Sequence, residues 1–192
     1  MSESHLRLAV VLPDRNAVSE SFIRAHVDGL FDDTVEIWGS PRPLHAGVGE
    51  TVLSSSPLLL ARVLHAVTGV GTERAMAAVG RRLPARWYEG QLAAFLHRSK
   101  VDVVLAEYGP TAVTIMEACS VSRTPFVVHF HGFDAYHQET LTKLRESYRR
   151  LFQKASRVIA VSNHMLGQLV GLGCPEERLV LNPYGIDMRQ FE

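Results

Sequence analysis

From Val101 onward, short apolar runs alternate with longer stretches whose apolar residues recur at helical spacing, and this rhythm restricts the possible folds more than any other feature. Val101 to Ala106, Phe126 to Phe130, Arg157 to Val161 and Arg178 to Leu181 read as strands. Helices are expected over about Pro110 to Val121, over Gln138 to Lys154, and from the natural cap Ser162 to Gly171 or Gly173. Strands this apolar must be covered on both faces, and parallel neighbours need a crossover, which the helices supply. The first half fits the same scheme. Leu6 to Leu12 is a strand stopped by Pro13, and Ser19 or Ser21 caps a helix bearing Phe22, Ile23, His26, Val27 and Leu30. Thr34 to Trp38 is a second strand. Gly39 to Pro57, rich in Gly, Pro and Ser, is expected to be the longest irregular segment. Helices follow from Pro57 to Val67 and from Glu73 to Arg98, the latter interrupted near Gly80 to Pro84. The expected class is α/β: a Rossmann-like, mostly parallel sheet with helices on both faces.

Composition narrows the partners. Twenty basic and twenty acidic residues cancel, so no overall field recruits nucleic acid. Cys119 and Cys174 lack metal-ligand spacing and read as reduced thiols. No run approaches the roughly 20 apolar residues that span a bilayer. A cytoplasmic location is expected. Apolar Leu58 to Val70, followed by Arg81, Arg82 and Arg86, also suggests peripheral membrane contact, although a core-facing helix with a solvated basic face is the ordinary reading.

Function concentrates where strands end. Val127-Val128-His129-Phe130-His131-Gly132-Phe133-Asp134 begins as a buried strand and breaks into a turn carrying histidines and an aspartate. In open parallel sheets, ligands bind at the carboxyl ends of the strands. Three exits should converge there: Ala106-Glu107-Tyr108-Gly109, His129 to Asp134, and Val161-Ser162-Asn163. This set suits a polyhydroxylated ligand with a phosphate or developing negative charge. The plainer readings are turn-capping for Glu107, helix-capping for Ser162 and a buried, hydrogen-bonded His129. His129-x-His131 raises a metal, but Asp134 and His137 do not complete a zinc-hydrolase array and no further ligand cluster is visible. No metal is expected. The first strand lacks a Gly-x-Gly-x-x-Gly turn, and no Walker loop or Gly-x-Ser-x-Gly elbow occurs.

Four segments, in order, resemble the N-terminal half of a GT-B glycosyltransferase of family four. Ser19-Glu20-Ser21-Phe22-Ile23 is similar to the Ser-Glu-Thr-Phe variant, and Val127 to Asp134 to the strand ending in His-Gly-x-Asp. Ala155 to Ser162 resembles Ala-x-x-x-Ile-x-Val-Ser, and Pro183-Tyr184-Gly185-Ile186-Asp187 with Phe191 resembles Pro-Asn-Gly-Val-Asp-x-x-x-Phe. Tyr184 stands where the pattern has Asn, and the Gly-Gly phosphate loop of many relatives is absent.

The resemblance implies retaining sugar transfer from a nucleotide-sugar donor to a hydroxyl acceptor, without cofactor or metal, in polysaccharide or glycoconjugate biosynthesis. It assigns catalysis to His131, near the donor sugar, and to Asp134, which orients the turn. Ser19, Glu20, Ser21, Glu107, Tyr108, Gly132 and Ser162 become substrate-binding. Residues 1–182 would form the acceptor-side domain and 183–192 the start of an interdomain linker. The C-terminal nucleotide-sugar domain would be missing, leaving this chain inactive alone. The alternative is a non-catalytic carbohydrate-binding module.

Overall fold

Five consecutive buried apolar residues, Leu8–Leu12, form the central strand β1 of an eight-stranded sheet. In this computed structural model, residues 6–15, 21–47, 50–53, 66, 71, 74, 78 and 81–185 are described. After β1 come α1 (Ser21–Gly29), β2 (Thr34–Trp38), β3 (His45–Ala46), β4 (Glu50–Thr51) and α2 (Ala85–Arg98). Next are β5 (Val103–Glu107), α3 (Gly109–Ser122), β6 (Phe126–His129), α4 (Phe133–Tyr136) and α5 (Gln138–Lys154). The described part ends with β7 (Arg157–Ala160), α6 (Asn163–Gly171), a 3-10 turn (Glu176–Arg178) and β8 (Leu179–Leu181).

The strand order is β4-β3-β2-β1-β5-β6-β7-β8. All pairings from β2 to β8 are parallel, whereas β2–β3 and β3–β4 are antiparallel. The chain winds from β1 outward to β2, then returns to β1's other side with β5. That reversal is a topological switch point, and the crevice above it is the expected ligand position.

Side-chain alternation divides the core. Ala9, Val11, Val104, Ala106, Val128, Val158 and Ala160 face a large cluster containing Tyr88, Leu92, Ile115, Leu151, Phe152 and Leu169 from α2, α3, α5 and α6. Leu8, Val10, Leu12 and Leu105 face the other way, against Ile23 of α1. Helices therefore cover both faces, as the apolar strands require. Each fully buried large side chain contributes about 1.5–3 kcal/mol of transfer free energy.

Two expectations change. The segment 39–57 is not simply irregular, because the two-residue strands β3 and β4 extend the sheet antiparallel to β2. The short helix α4 occupies the turn after β6, where none was expected. Of the anticipated 57–67 and 73–98 helices, single positions, residues 81–84 and α2 are described, and α2 starts after Pro84 where the interruption was placed. The apolar 58–70 segment lies outside the described residues except Ala66, while Arg81, Arg82 and Arg86 are exposed. Among the described residues, no helix is long and apolar enough to cross a membrane.

Candidate functional site at the strand exits

Glu107 ends β5 and pairs in register with His129 of β6. Alternation puts Glu107 on the face of Val103 and Leu105, beneath α1, and puts His129 beside it. From α1, His26 reaches across the switch point, and its Nδ1 lies 2.7 Å from Glu107 Oε1. His131, two residues beyond His129, brings Nε2 to 2.7 Å from Glu107 Oε2. One wholly buried carboxylate thus joins two imidazoles from opposite sides of the crevice.

His129 fills the space between them, with ring centroids 5.2 Å from His26 and 4.2 Å from His131. Its Nδ1 stands 3.5 Å from Glu107 Oε2, and neither ring nitrogen has a hydrogen-bond partner among the described residues. Burial holds His129 below the ordinary histidine range, against the opposing pull of Glu107. Burial would raise the Glu107 pKa, but His129, His131 and His26 overcome it and hold the carboxyl well below the usual range. Glu107 is therefore a buried anion whose two oxygens accept imidazole protons.

Asp134 works differently. Its Oδ1 accepts from the backbone N–H groups of His131 and Gly132, each at 3.0 Å, and its Oδ2 accepts from Gly109 N–H at 2.9 Å. It fastens the β6 exit to the start of α3. Burial raises its pKa, an effect offset in part by those three donors. Gly132 has φ +126°, a conformation open to glycine, which lets two successive N–H groups converge on one oxygen. Gly109 is constrained by space instead, since a Cβ there would stand 2.6 Å from the Tyr148 hydroxyl and 2.7 Å from the Phe130 ring.

Aromatic groups wall in His131. Tyr108, held at φ +72°, lies edge-on at 4.5 Å, and Phe22 of α1 lies 4.8 Å away. The Tyr184 hydroxyl meets His131 Nδ1, and its ring runs parallel to the imidazole. With Nε2 committed to Glu107, Nδ1 is the nitrogen that offers a lone pair.

The structure thus gathers Glu107, Tyr108, His131, Gly132 and Asp134 at one edge. Glu107, expected among the substrate-binding residues, faces two imidazoles and is fully buried. Asp134 is also fully buried. Ser162 is exposed, and its Oγ accepts from Met165 N–H as the cap of α6. Ser19 and Glu20 lie outside the described residues, as does the Ser21 side chain. Sequence reasoning missed His26 and the Tyr184 contact. The available signal was a lone histidine on the otherwise apolar face of α1. His26, Glu107 and His129 also bring ligand atoms within 4.8 Å of one another. This corrects the reading that nothing near His129 could complete a ligand set. The trio could hold a cation only after the imidazoles release their protons.

Comparison with known proteins adds to this geometry. Residues 51–190 match the family model described as Glycosyltransferase Family 4. Over 92 residues the chain is 32% identical to a Salmonella typhimurium protein whose name assigns it, provisionally, to colanic acid biosynthesis as the glycosyltransferase WcaL. That match covers 47% of this chain and 23% of the relative. The Escherichia coli protein of the same name is 31% identical over 94 residues, covering 48% and 23%. The solved structure of Anabaena Alr3699/HepE in complex with UDP and glucose matches 96% of this chain and 46% of its own, with TM-score 0.63 and 16% identity. A UDP-N-acetylglucosamine 2-epimerase from Rickettsia bellii gives TM-score 0.52 at 11% identity, covering 91% and 44%. The two solved structures share the fold, and this chain spans under half of each of them.

Proposed function

The chain belongs to glycosyltransferase family 4, and we propose that it is the acceptor-side Rossmann-like domain of an enzyme that transfers a sugar, with retention, from a nucleotide-sugar donor to a hydroxyl acceptor. The product is a polysaccharide or glycoconjugate, in keeping with the colanic acid assignment in the names of its relatives. Residues 1–182 form the domain and 183–192 begin the linker. The donor's nucleotide is held by an opposing domain. The protein works in the cytoplasm, where nucleotide sugars are substrates rather than cofactors.

One observation carries the reading: His131 stands at the switch-point edge with Nε2 fixed by a buried anion and Nδ1 turned toward Tyr184. In retaining transfer, the anomeric carbon–phosphate oxygen bond breaks as the acceptor oxygen bonds to that carbon on the same face. The acceptor's proton leaves on the departing phosphate oxygen. No protein nucleophile is needed, so the protein contributes positioning and fixed dipoles. His131 Nδ1 accepts from a donor-sugar hydroxyl that takes the place of the Tyr184 hydroxyl. Asp134 keeps the turn in position from behind.

Calorimetric titration of this chain with nucleoside diphosphates tests the division of labour. Affinity on the order of millimolar or weaker is expected, because the nucleotide grip lies in the opposing domain. Micromolar binding would overturn it. Saccharide binding by this chain, with no transfer by the protein that carries it, would favour a carbohydrate-binding module instead.

A further inference from the structure

We propose that His26 is a positioning residue for His131, acting through the carboxylate of Glu107. The inference rests on the transfer reading for its purpose, but its geometry stands independently.

Glu107 is wholly buried, so water cannot replace a lost partner at its oxygens. Among the described residues, Oε1 receives its hydrogen bond from His26 and Oε2 from His131. The intervening His129 has no hydrogen-bond partner among the described residues, its Nδ1 standing 3.5 Å from Oε2, and packs between the two. The carboxylate's orientation is therefore set by one imidazole on each oxygen. If His26 is removed, Oε1 becomes a buried anionic acceptor without a donor, which is costly. Glu107 must then rotate toward His131 or take up a proton. A protonated Glu107 can donate to Nε2 and leave the His131 hydrogen on Nδ1, while a rotated carboxylate shifts the ring that it anchors, so either response changes what His131 offers at Nδ1. His26 sits on α1 across the switch point from β6, so it also couples the α1 wall of the crevice to the β6 turn. Eighty-one residues separate it from Glu107.

The arrangement requires particular tautomers. His26 donates from Nδ1 and His131 from Nε2. Asn, whose amide nitrogen reaches about as far as Nδ1, can replace the first donor, whereas Leu cannot.

Two-bond proton–nitrogen correlation spectra of histidine-labelled chain read these hydrogens directly. In the wild type, neutral His26 should carry its hydrogen on Nδ1 and neutral His131 on Nε2. His26→Leu should move the His131 nitrogen signals toward a mixture of tautomers, and His26→Asn should restore the wild-type pattern. In the transferring enzyme, His26→Leu should lower kcat about tenfold with KM unchanged, a part of what a preorganised hydrogen bond to the reacting sugar supplies, and His26→Asn should recover most of it. An unchanged His131 spectrum in His26→Leu would overturn the inference. If that variant does not fold, a wild-type His26 with its hydrogen on Nε2 would overturn it equally. So would one tightly bound zinc per chain, since His26 and Glu107 would then be its ligands. Failure of the transfer reading looks different: an inactive wild-type enzyme with the tautomer coupling intact.

Discussion

Replacing Glu107 by Gln removes the charge beneath the strand exits while nearly preserving shape. The carboxylate accepts from His26 and His131, each at 2.7 Å, in a wholly buried position. Glutamine keeps one acceptor and turns a donor toward the other imidazole. Hydrogen bonds to a charged group contribute about 1.5–3 kcal/mol each. Losing one of two, with some relief from no longer burying a charge, gives a net loss of about 1–3 kcal/mol. For a chain of this size, that lowers the melting temperature by about 3–10 °C. The effect depends on pH in a definite direction. Because folding depresses the Glu107 pKa, its contribution is present above the ordinary carboxylate range and is lost as pH falls through the folded value. The gap between wild type and variant should therefore narrow below about pH 4. Thermal melts of both proteins from neutral to acid pH measure it. Equal melting temperatures at neutral pH, or a gap that widens on acidification, would refute the buried-anion account.

Gly109→Ala should destabilise the fold by about 2–3 kcal/mol, because the new methyl would press on Phe130 and Tyr148, both buried, and pull Gly109 N–H from Asp134. Chemical denaturation measures the loss. Ser162→Ala should cost about 1 kcal/mol through loss of the α6 cap and leave acceptor KM unaltered; a raised KM at full stability would restore Ser162 as a substrate contact. Protein purified without chelator should carry no stoichiometric metal, as Glu107 already has imidazole protons on both oxygens. Elemental analysis decides, and zinc lost on His26→Asn would reverse the assignment.

The parallel half of the fold was legible because apolar strands and long helices carry redundant signals. Gln138 to Lys154 coincides with α5, since polar residues at His137 and a closing Ala155-Ser156 bound a strongly amphipathic helix. The hairpin of β3 and β4 was not legible, as two-residue strands show no alternation and their Gly- and Pro-rich surroundings resemble a loop. The site was half legible. His131, Gly132, Asp134 and Glu107 stand out because polar residues at the end of an apolar strand need a reason. His26 does not, because its spacing matches that of its core-facing neighbours Phe22 and Ile23. Its partner is chosen by how α1 lies over the switch point, a tertiary fact that no local pattern encodes. Tyr184 was visible as a departure from the family pattern, but its contact with His131 required the chain to fold back across the β6 exit.

The central claim is that the His131 turn meets the reacting sugar while His129 serves the fold, and parallel alanine substitutions in the transferring enzyme test it most directly. His131→Ala should reduce turnover by the equivalent of roughly 2–4 kcal/mol of barrier, while its melting temperature falls only as far as the loss of one hydrogen bond to Glu107 requires, by about 3–10 °C. His129→Ala, at a position only 2% exposed, should mainly lower the melting temperature. Wild-type turnover in His131→Ala, together with an unchanged melting curve in His129→Ala, would contradict the account.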